Sequence, residues 1–365
     1  MFLPLGTPKD QLDTPALLLD LDLFEANVKQ AAETCRNHGV HWRPHAKCHK
    51  SPDIGHRLIE AGAIGLTCAK LGEAEVFAAA GIPDLLIANY VVGPQKVARL
   101  IEVRQKADPI VTIDHIDQAI PISAAMAAKR LKVRAILEID IGMDRAGVAP
   151  GKPAVELAKK VAALPGIEFV GVMGYEGHLL LVDDPSEKAS RICVSLNQLT
   201  DTVKRLEAAG LHCSIVSCGG TGSLPFSVGH PGITELQAGG VIFMDAFYRY
   251  QCKLEGYRHA LTLLVTVVGR PTAERAIIDA GRKTMNMEIA MPLVMGREGI
   301  TVDRLSAEHG MLKVGPTAQD LKIGDRLEII PGYSDLTTTL HNQFFVVQGD
   351  KLVDIWPLTA RGKLA

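Results

Sequence analysis

Short apolar runs rich in β-branched residues recur from residue 41 to about 243: HWRPHAK (41–47), IGLTCAK (64–70), DLLIANY (84–90), IVTIDH (110–115), RAILEID (134–140), FVGVMGYEG (169–177), SIVSCGGTG (214–222) and ITELQAGGVIF (233–243). Between most of them lie stretches of helical periodicity. SPDIGHRLIEAG opens on a Ser N-cap signal and stops at Gly, and PQKVARLIEVRQ, KPAVELAKKVAAL and KASRICVSLNQLTDTVKRLEAAG behave similarly. Continuous apolar strands alternating with amphipathic helices predict a parallel sheet covered by helices. Roughly eight such units fit a closed (β/α)8 TIM-like barrel, and their number favours it over an open doubly wound sheet. Near residue 253 the pattern changes to short alternating strands with turn residues, including LTLLVTVVGRP, RAIIDAG, LKVGPTA, DRLEIIPG and NQFFVVQGDKLVDIWP. These predict a C-terminal, mostly β domain of ~110 residues. The expected division is therefore a barrel over 13–252 and a β domain over 253–365, with residues 1–12 packing on the latter. The run ALLLDLD (16–22) fits either domain.

Composition narrows the function without naming it. A formal net charge of −2 argues against a general nucleic-acid binder, which needs a clustered basic face. No apolar run approaches the ~18 residues of a membrane span. The start, MFLPLGTPKDQ, lacks the basic segment and long apolar core of a signal peptide. The seven scattered cysteines form no CxxC pair, so they read as reduced thiols of a cytoplasmic protein.

In α/β barrels the active site lies at the C-terminal ends of the strands, so polar residues there are the candidates. The first strand runs into Arg43-Pro44-His45-Ala46-Lys47-Cys48-His49-Lys50. A buried lysine there is a nucleophile for carbonyl groups; the plainer reading is a solvated basic loop. Arg145, between Gly142 and Gly147, is a candidate anion clamp or one half of a structural salt bridge. Tyr175 can stack or donate a hydrogen bond, and His178 is either a base or a bystander. In Ser217-Cys218-Gly219-Gly220-Thr221-Gly222-Ser223, glycines expose backbone N–H groups and hydroxyls add donors, as a phosphate cradle requires. The pattern lacks GxxxxGK[ST], so a nucleoside triphosphate is not indicated. Gly239-Gly240 ends the last strand, and barrel phosphate sites favour the loops after strands seven and eight. A lysine, an arginine, a tyrosine and a two-loop phosphate cradle together suit a phosphorylated cofactor that carries an aldehyde.

The string RPHAKCHK resembles the RPHxKxHK motif of the D-threonine aldolase and D-serine dehydratase family, pyridoxal-phosphate enzymes of the alanine-racemase fold. The resemblance runs on through DTPALLLDLD, EIDIGMDRAGV, GYEGH, CGGTGS, ELQAGGVIFMD, IDAGRK, EHG (308–310), PGYSDLTTTLH and WPLTARGK. ELQAGGVIFMDAFY and WPLTARGK are most similar to bacterial 3-hydroxy-D-aspartate aldolases. The resemblance implies Lys47 as the Schiff-base lysine and Arg145 near the cofactor's phenolic oxygen. It also implies Gly220, Thr221, Gly222, Gly239 and Gly240 around the phosphate. By the same resemblance Gln237 would face the ring nitrogen, where many relatives have arginine, which suits aldol cleavage or racemisation. A homodimer is implied, with each β domain completing the other subunit's site.

One departure concerns a divalent metal (Mg, Mn or Zn). The family binds it through PxHxC or PxHxD, whereas this chain has Pro331-Gly332-Tyr333-Ser334-Asp335. Asp335 keeps a carboxylate, but a neutral phenol with reference pKa ~10 is a poor ligand. His309 and His341 lie nearby in the family pattern as substitutes, with a structural role the plainer reading. Without a metal, Tyr333 or His178 is the candidate acid–base group. The expected reaction is retro-aldol cleavage of a D-3-hydroxy-α-amino acid to glycine and an aldehyde or 2-oxo acid. Dehydration to a 2-oxo acid and ammonia, amino-acid racemisation, and non-catalytic cofactor binding are the alternatives.

Overall fold

All eight runs expected as barrel strands form one parallel sheet, preceded by a strand of different allegiance. The computed structural model describes residues 4–365, so the first three residues of the N-terminal stretch read above lie outside the described residues. After β1 (Ala16–Asp20) come β2 (His41–Trp42), β3 (Leu66–Cys68), β4 (Asp84–Ile87), β5 (Asp108–Ile113), β6 (Val133–Glu138), β7 (Ile167–Met173), β8 (Ile215–Cys218) and β9 (Glu235–Leu236). The last eight follow the order β2-β9-β8-β7-β6-β5-β4-β3. Beyond the end of β2 the sheet closes on itself. Ile64 N–H donates to Trp42 O (2.9 Å), Thr67 N–H donates to Pro44 O (3.0 Å), and His45 bridges Thr67 in parallel. The sheet is thus a barrel, not an open doubly wound sheet. Between the strands run helices whose starts are written locally. Asp184 accepts from Glu187 N–H ahead of Pro185, for example, and caps the helix Pro185–Ala208. Leu86, Ile110, Ile136, Val170, Met173 and Ile215, drawn from β4 to β8, form one buried apolar cluster.

At the strand-start end, the barrel holds charge. Arg43, just past β2, donates Nε to both oxygens of Glu235 (3.0 and 3.1 Å) and Nη1 to Asp84 Oδ1 (2.6 Å). Arg134 Nη2 also meets Asp84 Oδ1 (2.9 Å). Asp84 and Glu235 are the first residues of β4 and β9, so the arginine reaches back along the strands, away from their C-terminal ends.

The second unit contains β1 with β10 (Leu261–Thr272), β11 (Arg275–Ile278), β12 (Leu293–Val294), β13 (Ile300–Leu305), β14 (Gly310–Val314), β15 (Arg326–Ile330), β16 (Gln343–Gln348) and β17 (Lys351–Pro357). Its path is β13-β14-β11-β10-β1-β16-β17, with β15 pairing β10 and β12. β1 runs antiparallel to β10 and parallel to β16. That pairing decides the open question of the run at 16–22 and moves the expected boundary. The described residues up to Gln30, Cys48–Asp53 and Gly240–Arg361 make one compact unit; Ala31–Lys47, Ile54–Gly239 and Gly362–Ala365 make the other. Residues 13–30, 48–53 and 240–252, expected with the barrel, therefore belong with the strands of the β unit, and 362–365, expected with the β domain, belong with the barrel. β12 and β13 lie outside the strands expected from the sequence.

Candidate active site

In a parallel barrel every strand ends at the same face, so the strand-end residues share it. Lys47 sits, half-buried, on a single 3-10 turn (Ala46–Cys48) beyond β2. Its N–H donates to His45 Nδ1 (3.4 Å). His45 is itself braced: its N–H donates to Gln237 O (3.1 Å), and a Cβ placed on Gly239 would lie 2.3 Å from its carbonyl oxygen. Only glycine permits this approach, so the turn that carries Lys47 and the loop after β9 hold each other in place.

Past β8, Gly219 adopts φ +77°, a conformation that favours glycine. Its N–H donates to Glu176 Oε2 (3.3 Å), and Ser227 Oγ donates to Glu176 Oε1 (2.5 Å). Glu176 is fully buried, so a carboxylate clamps both flanks of the turn Thr221–Ser223. A Cβ at Gly220 would come within 3.0 Å of the Tyr175 ring. The loop backbone at Gly220 therefore lies directly against the tyrosine, while its N–H donates to Ser223 Oγ (3.1 Å). Gln237 donates Nε2 to Ser217 Oγ (2.9 Å).

The Arg145 guanidinium lies 5.8 Å from the Tyr175 ring centroid and 3.6 Å from Glu138 Oε1. The structure thus brings Arg145 to Tyr175 and Tyr175 to Gly220. His178, exposed on the turn Gly177–Leu179, lies over the loop that carries Arg145, because a Cβ on Gly142 would meet its Nε2 at 2.9 Å.

Three residues at this face were not singled out from sequence. Glu138 ends β6, Asp114 follows β5, and Tyr90 lies three residues beyond β4. Tyr90 donates its hydroxyl to Glu138 Oε2 (2.7 Å). Burial raises the Glu138 carboxyl above its usual range, and Asp114 adds to the rise, while Tyr90 and Arg145 oppose it. The Tyr90 hydroxyl is raised too, by burial and by hydrogen bonds to Asp114 and Glu138. The signal was present: each is a polar residue terminating an apolar run.

In the other unit, Tyr333 donates its hydroxyl to Asp335 Oδ2 (2.9 Å) and packs edge-on against Phe247 and Tyr248. Asp245 is buried beside them. Its Oδ2 accepts from Ser334 N–H and Oγ (both 2.7 Å), and its Oδ1 accepts from Tyr248 N–H (3.0 Å). Burial pushes its carboxyl up to about 7. Gly240 opens the short turn Gly240–Ile242. His341 Nε2 lies 2.7 Å from Thr284 O, and His309 is exposed in the turn between β13 and β14. Among the described residues, no group of three or more His, Cys, Asp or Glu side chains is placed to hold a metal ion. The Tyr333 phenol thus occupies one oxygen of Asp335, the carboxylate that the sequence offered to a metal.

Residues 19–246 match the family described as alanine racemase, N-terminal domain, and residues 260–347 match the putative serine dehydratase domain. A D-threonine aldolase of Arthrobacter sp. is 37% identical over 98% of this chain and 95% of its own length. A 3-hydroxy-D-aspartate aldolase of Paracoccus denitrificans (strain Pd 1222) is 34% identical over 98% and 94%. The crystal structure of a D-threonine aldolase from Filomicrobium marinum superposes with a TM-score of 0.96 at 38% identity, covering 100% of this chain and 99% of that one. No described helix is long and apolar enough to cross a membrane.

Proposed function

Because the chain belongs to the alanine racemase N-terminal domain family, in its branch with a serine-dehydratase-type C-terminal domain, we propose that it is a pyridoxal-phosphate lyase. Its substrate is a D-3-hydroxy-α-amino acid of the D-threonine or 3-hydroxyaspartate type. The products are glycine and an aldehyde or 2-oxo acid. Full-length relatives at 34–37% identity bearing aldolase names support this reaction over its alternatives. The observation that carries the cofactor assignment is the glycine loop. Gly220 lies against Tyr175, whose ring faces the Arg145 guanidinium, at the strand-end face that also presents Lys47.

The residues fit the group. Gly220, Thr221, Gly222, Gly239 and Gly240 would receive its phosphate, Gln237 its ring nitrogen, Tyr175 its ring and Arg145 its phenolic oxygen. Bound there, it supplies an aldehyde for amines and a ring that takes up the electron pair left on Cα when Cα–Cβ breaks. Lys47 would hold the group through its side-chain amine. Arg145 offers a fixed positive charge. His178 would accept the β-hydroxyl proton as the new carbonyl forms, or Tyr333 would do so while passing its own hydroxyl proton to Asp335. Dehydration to a 2-oxo acid and ammonia is the second reading, favoured by the match of residues 260–347. The same reading carries a homodimer and a cytoplasmic location.

Visible spectra of the wild type and Lys47→Ala, before and after borohydride, test the assignment. A band that borohydride bleaches in the wild type, and that the variant lacks, is the expected result. No band after addition of pyridoxal phosphate would overturn it. With D-threonine, glycine and acetaldehyde are expected; 2-oxo acid and ammonia would select the dehydratase instead.

A further inference from the structure

Arg145 rides on a loop whose backbone is fixed independently of its side chain. Val148 N–H donates to Glu138 O (2.9 Å) and Asp140 N–H donates to Val148 O (3.0 Å), closing the loop on itself. Asp140 Oδ1 accepts from Gly142 N–H (3.0 Å) and Asp144 N–H (3.2 Å), and Gly147 N–H donates to Asp114 Oδ2 (3.1 Å). The guanidinium is different: the side chain is 56% exposed, and a long cationic side chain at such exposure samples many rotamers unless something aims it. Two groups stand against it, the Tyr175 ring and the Glu138 carboxylate. A ring face supplies a surface and the carboxylate supplies a direction.

Glu138 is suited to that task because it cannot itself swing away. It is 6% exposed, ends a strand, and receives the Tyr90 hydroxyl on the oxygen that does not face Arg145. Tyr90 is flanked by two carboxylates, Glu138 and Asp114, and has one proton to give. A buried carboxylate is costly without a cation, and Arg145 lies on its open side. Asp114 meanwhile holds the far end of the loop through Gly147. One small cluster thus fixes both the backbone and the side chain of the same arginine.

We infer that Glu138 is a positioning residue for Arg145: its carboxylate, braced by Tyr90, holds the guanidinium in the orientation in which it meets the cofactor's phenolic oxygen. This rests on the pyridoxal-phosphate reading above. Glu138 acts through Arg145, and Tyr90 acts through Glu138; neither is assigned a contact with substrate.

The test compares wild type, Glu138→Gln, Glu138→Asp and Tyr90→Phe. Melting of the apo-proteins reports the fold, fluorescence titration with pyridoxal phosphate reports affinity, and the pH midpoint of the visible band reports the surroundings of the phenolic oxygen. Glutamine keeps the volume and still accepts from Tyr90, so Glu138→Gln is expected to melt near wild type. It should bind the cofactor roughly three- to tenfold more weakly, as suits a half-exposed charged pair, and shift the band's pH midpoint. Glu138→Asp should recover part of both changes, and Tyr90→Phe should move both in the same direction by less. Wild-type affinity and midpoint in Glu138→Gln would overturn the inference, as would weaker binding that follows a lowered melting temperature with the midpoint unmoved. If the wild type itself retains no borohydride-fixed cofactor on Lys47, the cofactor reading falls and this inference with it. Loading of the wild type with an indifferent Glu138→Gln overturns this inference alone.

Discussion

Replacing Arg43 with methionine should destabilise the barrel severely, for reasons that can be worked through its neighbours. The Arg43 and Glu235 side chains are each 2% exposed, and the arginine donates to both carboxylate oxygens. Removing one partner of a buried pair leaves an uncompensated charge, at a cost of about 3–5 kcal/mol. Asp84 is not stranded, because Arg134 Nη2 remains 2.9 Å away. The penalty therefore falls on Glu235. The reverse change, Glu235→Gln, leaves Arg43 with Asp84 at 2.6 Å and should cost less. The double variant Arg43→Met/Glu235→Gln buries no lone charge and should recover about half of the single-variant loss or more. Urea unfolding followed by tryptophan fluorescence is the assay. Trp42 lies next to the perturbation and donates Nε1 to Ala238 O (2.8 Å), and a Trp356→Phe background silences the only other tryptophan. A loss below about 1 kcal/mol in Arg43→Met would refute the premise of a desolvated pair. A double variant as unstable as the single one would refute the assignment of the penalty to Glu235.

Acid sensitivity should depend on His49, which is fully buried; burial pushes its imidazole down from 6.5 to about 3, with Lys50 adding to the shift and the Ser51 backbone opposing it. The neutral ring contributes stability that is complete above pH 6.5 and drains away as pH falls toward 3, so His49→Gln should flatten stability over that window, and an unchanged slope in urea titrations would refute it. Gly239→Ala forces a Cβ to within 2.3 Å of His45 O; it should cost about 1–3 kcal/mol and loosen retained cofactor, measured by melting and dialysis. Glu176→Ala removes the acceptor of Ser227 Oγ and Gly219 N–H in a buried setting, at about 1–3 kcal/mol per stranded donor, and Ser227→Ala in the same background should give part of it back.

The barrel was legible because most of its strands are continuous apolar runs spaced by helical patterns, and β2 and β9, whose ladders span two residues each, fall at the same spacing. What the pattern hides is direction. In Arg43-Pro44-His45-Ala46-Lys47-Cys48-His49-Lys50, cationic and imidazole side chains crowd eight positions and read as one chemical cluster. In the folded chain they separate: Arg43 reaches back to the strand starts, and Lys47 stands on the turn beyond β2. His49 and Lys50, both buried, fall with the other unit. A long side chain's reach is set by the charges it finds, and those come from β4 and β9, far away in sequence. The same blindness explains Tyr90, Asp114 and Glu138, each ordinary alone and meaningful only when three strand ends converge. β1 was ambiguous because an apolar strand of five residues fits any sheet; only the register with Leu261–Leu264 and Phe345–Val347 assigns it.

That register has a consequence for how the protein is made. Ala16 pairs with Leu264 and Leu18 with Phe345, so β1 leaves the ribosome roughly 250 residues before its first partner exists. At about 5–20 residues per second, the wait is on the order of ten seconds to a minute. Meanwhile Ala16, Leu17, Leu18 and Leu19, all essentially inaccessible in the finished molecule, are an apolar strand with both edges open. The nascent chain must carry this segment through the whole synthesis of the barrel, which makes the N-terminal strand a natural client for a holding chaperone and the first place where crowded expression would seed aggregation.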